Sequence, residues 1–205
     1  RSKGFAYTPI IASGKNACVL HYIENNMQCK AGDVILMDFG AEYANYASDL
    51  TRSFPVNGRY TDRQRAVYNS VLHVKKEAEK LLVPGTLIPE YHKEVGKIME
   101  AELVKLKLID ATDIKNQNPD WPAYKKYFMH GTSHHIGLDT HDSGLYHKPI
   151  EAGMVFTCEP GIYIPAENLG IRLEDDLVVQ AKGAPKNLMA TIPLEAEEIE
   201  DIMNS

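Results

Sequence analysis

The sequence predicts an α+β fold in which two similar β-hairpins face each other across a pseudo-twofold axis, with helices covering them. An internal echo carries this expectation. Ala31-Gly32 leads into VILMDFG and Ala152-Gly153 into MVFTCEPG, so Gly32 precedes Asp38 by six positions and Gly153 precedes Glu159 by the same six. Each carboxylate is followed two residues on by a glycine, Gly40 or Gly161, and each return strand brings another carboxylate, Asp49 or Glu174. Helical periodicity is concentrated between the two units, which segregates helices from strands.

Taken in order, Phe5–Ala12 and Ala17–Tyr22 read as strands, with Ser13–Asn16 as the turn between them. Val34–Phe39 is a short apolar strand, and Tyr46–Val56 is its antiparallel partner through Gly40–Asn45. Thr61 and Gln64 have capping-box spacing: the Thr oxygen accepts a first-turn N–H and the Gln side chain reaches back. Val67, Val71, Val74, Ala78 and Leu81 then follow at helical spacing until Pro84-Gly85. A second helix spans Pro89–Lys107, with Val95, Ile98, Met99, Leu103 and Leu106 on its apolar side. His73 and His92 fall within these helices as expected surface residues, and His147 in a loop. Ile109–Tyr127 is polar and proline-punctuated and reads as a long loop; strands return after it through Val178.

The 205 residues suffice for one domain with a full core. A net charge of −6 without a basic run argues against nucleic acid and anionic membranes as partners. No apolar stretch approaches a membrane span, and no signal-peptide pattern opens the chain. Arg1 is not an initiator Met, so a preceding segment is expected. Cys18, Cys29 and Cys158 lack C-x-x-C spacing and read as free thiols in a reducing compartment, with the cytoplasm as the expected location.

Asp38, Asp49, Glu159 and Glu174, with an imidazole from MHGTSHHIGLDTHD at 129–142, form the candidate site. Four clustered carboxylates repel one another unless cations neutralise them, and two divalent ions carry the matching charge. Oxygen donors with one imidazole favour Mn²⁺, Co²⁺ or Zn²⁺. Two such ions can share a bridging hydroxide and polarise a carbonyl, which makes this a two-metal hydrolase pattern. Strand alternation turns Cys158 away from Glu159 and Asp175 away from Glu174, while Asp176 shares the face of Glu174 and competes with it. Of the adjacent His134 and His135 only one can face inward, and spacing does not decide which. His130 and His141 are candidates for substrate hydrogen bonding and proton transfer. Arg172, two residues before Glu174, is placed to orient a ligand carboxylate.

HGTSHHIGLDTHD, CEPGIYI and GIRLEDD in combination resemble the pita-bread metallopeptidases of the aminopeptidase P and prolidase family, and HYIENN with GRYTDRQRAVY leans toward aminopeptidase P. The resemblance implies that Asp38, Asp49, His134, Glu159 and Glu174 hold two metal ions, usually Mn²⁺, with Asp49 and Glu174 bridging; it thereby selects His134. It implies catalytic roles for His21, His130, His141 and Glu159, with Tyr163 and Arg172 behind the ligands. The implied activity is release of the N-terminal residue from peptides with proline second. Residues 1–205 correspond to the catalytic domain, without the family's N-terminal domain and first helices, and full-length members are expected to be homo-oligomers. An Xaa-Pro dipeptidase would use the same ligands. A non-catalytic binding module on this fold is disfavoured because no ligand is lost.

Overall fold

The computed structural model describes residues 1–205. Its first half holds β1 (Gly4–Phe5), β2 (Ile10–Ser13), β3 (Val34–Asp38), β4 (Ala41–Tyr43), β5 (Tyr46–Ala47) and β6 (Thr51–Pro55). Next come α1 (Asp62–Leu81), α2 (Ile88–Lys105) and the short α3 (Ala111–Lys115). The second half holds β7 (Val155–Cys158), β8 (Gly161–Ile164), β9 (Leu169–Arg172), β10 (Asp175–Val178) and β11 (Lys186–Asn187), and the chain closes with α4 (Ala196–Met203).

The echo in sequence is an echo in structure. β3 pairs antiparallel with β6, and β7 with β10. In each unit the connection folds into a smaller antiparallel hairpin, β4–β5 in the first and β8–β9 in the second. β2 extends the first unit and β11 the second, and a bridge between Thr51 and Glu174 joins them. α1 and α2 pack together behind the second unit. Val67, Val71, Val74, Ala78, Val95, Met99 and Leu103 form one buried cluster with Phe156, Ile162, Ile171 and Leu177. Burying such side chains contributes roughly 1.5–3 kcal/mol each, which locks β7–β10 to the helices. The Thr61–Gln64 capping box is present on both sides. No helix is long and apolar enough to cross a membrane.

Five expectations are corrected. The strand over Tyr46–Val56 breaks at Ser48–Leu50. Gly40 lies so close to Ser48 that a Cβ there would collide with the Ser48 carbonyl, and the Asp49 N–H turns to the Asp176 carboxylate instead of a ladder partner. Ala17–Tyr22 is not a strand. Gly14 adopts φ +57° beneath the Asp33 carboxylate, a left-handed conformation that suits glycine, and Gly14–Cys18 forms a 3₁₀ turn whose Ala17 packs on Gly170. The predicted single strand Phe5–Ala12 is likewise split into β1 and β2. The long loop over Ile109–Tyr127 contains α3 and a 3₁₀ turn at Ala123–Lys126. Asp110 caps α3 with Asp113 reaching back, a D-x-x-D variant of the capping box that the sequence displayed. His92 is not a surface residue: it is half-buried, with its ring against Gly131 and Nε2 buried without a partner.

Candidate metal centre

The two units deliver their carboxylates to one place. Asp38 ends β3, Glu159 follows the last residue of β7, Glu174 directly precedes β10, and Asp49 sits in the break before β6. All four line an open cavity of about 400 Å³, together with His21, His130, His134, His141 and Arg172. Every sequence-predicted site residue except Tyr163 is on that wall, and Tyr163 lies buried immediately behind it. His21 and His141 are exposed at the rim, and the His141 ring stands edge-on to His134 at 4.4 Å between centroids.

Donor atoms of Asp49, His134 and Glu174 lie within 4.8 Å of one another. His134 Nε2 is 3.7 Å from Asp49 Oδ2 and 3.6 Å from Glu159 Oε1. On the other side of the ring, Nδ1 is 2.9 Å from the His135 carbonyl, which can only accept, so Nδ1 carries the proton and Nε2 presents its lone pair to the carboxylates. This donor set, three converging carboxylates and one correctly oriented imidazole with Asp38 alongside, fits divalent cations. The choice between adjacent histidines is made by pairing to β7: His135 bridges Phe156 and lays its ring on it at 4.3 Å, while His134 turns inward.

Behind the carboxylates runs a polar chain. Arg172 donates to Asp38 Oδ2 at 2.5 Å and to the Tyr163 oxygen at 2.9 Å. Tyr163 in turn donates to His130 Nε2 at 2.8 Å, and His130 Nδ1 donates to the Gly131 carbonyl at 2.8 Å. The carbonyl fixes the tautomer, and burial pushes the His130 imidazole down to about 3, so it is neutral. Asp175 faces away, as strand alternation predicted, into a buried cluster with Lys75 at 2.5 Å and Arg52 at 2.6 Å. Cys158 is fully buried behind the site.

One residue was missed and another takes a different role. Tyr7 places its hydroxyl 2.5 Å from both Asp38 Oδ1 and Asp49 Oδ1. Asp176, expected as a rival ligand, instead accepts the Asp49 N–H through Oδ2 at 3.1 Å, while its Oδ1 is buried without a partner. No local pattern announces Tyr7, which is brought in by the path from β1 to β2.

Burial, then mutual repulsion, raises the carboxylates: Asp49 to about 7, Glu159 to about 8 with opposition from Arg172, and Glu174 well above its ordinary value. Burial likewise pushes the His134 imidazole down to about 4, keeping it neutral as a ligand must be. A consequence follows for stability. Above the ordinary histidine range and up to pH 7–8 the folded chain binds more protons than the unfolded one, so stability declines as pH rises there, whereas at lower pH the depressed His130 and His134 imidazoles oppose the carboxylates. The slope is at most about 1.4 kcal/mol per pH unit for each such group. In chelator, the melting temperature should therefore fall from about pH 6.5, the ordinary histidine value, to pH 8, and saturating divalent ion should abolish the fall. A chelated protein whose stability rises over that range would contradict the charge balance described.

Residues 1–181 match the model of Metallopeptidase family M24. The chain is 43% identical to an Xaa-Pro aminopeptidase of Escherichia coli, over 97% of its own length and 47% of that protein's. It superposes with a TM-score of 0.91 on aminopeptidase P from E. coli with the inhibitor Pro-Leu, at 42% identity, covering 98% of this chain and 48% of that one. The zinc-substituted form of that enzyme in complex with product gives the same values. The chain thus spans about half the length of the relatives it matches. The α+β architecture is the pita-bread fold of those aminopeptidase P structures. With a family match across most of its length and that fold throughout, the chain belongs to metallopeptidase family M24.

Proposed function

We propose that residues 1–205 form the catalytic domain of an Xaa-Pro aminopeptidase, a dinuclear metalloenzyme with Mn²⁺ as its usual ions. The observation that carries this reading is the convergence of Asp38, Asp49, His134, Glu159 and Glu174 from two pseudo-equivalent hairpins on one cavity. These five side chains would hold the ions, with Asp49 and Glu174 shared between both. When bound, the ions supply an activated water and Lewis acidity toward the scissile carbonyl. The related E. coli aminopeptidase P structures, one with the inhibitor Pro-Leu and one with product, support the substrate class.

The chain's own residues then have distinct tasks. Glu159, directly after β7 on the cavity wall, would take the proton of the attacking water and return it to the departing nitrogen. Its Oε2 lies 3.6 Å from His130 Nδ1, which places the imidazole beside that exchange. The scissile nitrogen belongs to proline and has no N–H to donate. The bond must be recognised by fitting the pyrrolidine ring and by contacting the flanking carbonyl, the contact assigned to His141, with His21 also on the rim. Arg172 and Tyr163 hold Asp38 and His130 in place.

The reading is tested by comparing kcat/KM in Mn²⁺ for Xaa-Pro-Yaa, Xaa-Ala-Yaa and N-acetylated Xaa-Pro-Yaa. Only the first should be cleaved. Equal cleavage of the alanine peptide rejects proline specificity, and cleavage of the acetylated peptide rejects the aminopeptidase. Turnover of Xaa-Pro dipeptides alone would move the assignment to a dipeptidase.

A further inference from the structure

Asp49 differs from the other carboxylates of the centre in its support. Asp38 stands in a paired strand, and Glu159 and Glu174 adjoin one, but Ser48–Leu50 lies outside the strands: the Ser48 N–H and the Leu50 carbonyl bond to Ala41 and Phe39, while the Asp49 N–H has no backbone partner. Two side chains hold Asp49 instead. Asp176 accepts its N–H, and the Tyr7 hydroxyl donates to its Oδ1. The same hydroxyl reaches Asp38 Oδ1, while Asp38 Oδ2 is held by Arg172. Tyr7 thus links the two carboxylates of the first hairpin, and it leaves Asp49 Oδ2 directed at His134 Nε2.

We propose that Tyr7 is a positioning residue of the metal centre: its hydroxyl ties Asp38 to Asp49 and so sets the affinity for the ion these carboxylates hold. This rests on the dinuclear reading above. A phenol carries one proton, so it donates to one carboxylate at a time, and the second close oxygen is tolerable only with positive charge or a further proton nearby. A divalent ion supplies that charge, which couples the Tyr7 contact to ion binding. A hydrogen bond to a metal-bound carboxylate fixes its orientation before the ion arrives, and losing such a contact typically lowers affinity about 10- to 100-fold.

The test is a Mn²⁺ titration followed by the electron paramagnetic resonance of the free ion, on the wild-type chain and on Tyr7→Phe. Tyr7→Phe keeps the ring and removes only the hydroxyl. Its affinity for one of the two ions should fall at least about tenfold. Both ions should still bind at saturation, where kcat should recover with KM unchanged. Tyr7→Gln, which retains a donor, should bind Mn²⁺ more tightly than Tyr7→Leu, and this pair carries the same comparison if the Phe variant fails to fold. Wild-type affinity in Tyr7→Phe, or equal affinity in the Gln and Leu variants, overturns the proposal while leaving the dinuclear reading intact. A wild-type chain that takes up fewer than two ions overturns the dinuclear reading, and this proposal with it.

Discussion

Glu174→Ala should lose metal and activity together, with stoichiometry at saturating Mn²⁺ falling from two ions per chain to one or none. Glu174 is 2% exposed, and Thr51 Oγ1 donates to its Oε2 at 2.6 Å, so the carboxylate is fixed rather than free to be replaced by a neighbour. Asp176 is two positions on but is committed to the Asp49 N–H. Loss of metal in this variant will not reflect unfolding. Removing one of several buried, mutually repelling carboxylates relieves the ion-free protein, so its melting temperature in chelator at pH 8 should match or exceed that of the wild type. Elemental analysis beside a thermal melt reads both. Two ions retained per chain would remove Glu174 from the ligand set, and a lower melting temperature in chelator would contradict the repulsion.

His130→Ala and His141→Ala should show the opposite pattern. Both ions stay, and turnover falls by roughly 10²–10⁴, the usual worth of positioned acid–base help. The His130 ring nitrogens are engaged by the Gly131 carbonyl and the Tyr163 hydroxyl, with Nδ1 3.6 Å from Glu159, so the imidazole is held beside the ligands rather than among them. His141 stands against the outer edge of the His134 ring. The two variants should separate in kinetics: His141→Ala raises KM as well, because it loses the carbonyl contact, whereas His130→Ala acts mainly on kcat. Metal lost from His130→Ala as readily as from Glu174→Ala would show that these roles are misassigned.

The two-unit plan, the helices and the carboxylates were legible in the residues alone. Those signals are local: the Gly-to-carboxylate spacing around Asp38 and Glu159 recurs within a few residues, and the Thr61–Gln64 cap acts over one helical turn. The sequence also placed Cys158 and Asp175 away from the cavity, because strand alternation needs only one neighbour as reference. The inward turn of His134 rather than His135 was legible through family resemblance but not through spacing, since the deciding contact is with Phe156 in β7. Only the tertiary structure decided the rest. The break at Ser48–Leu50 follows from the close approach of Gly40, and the 3₁₀ turn at Gly14–Cys18 from Asp33 and Gly170. The burial of His92 follows from its packing on Gly131. Tyr7 is the sharpest case, because it meets Asp38 and Asp49 across 31 and 42 residues of chain. Such a contact is made by the path of the backbone, and a hydroxyl acquires that role only when the fold has brought two carboxylates to it.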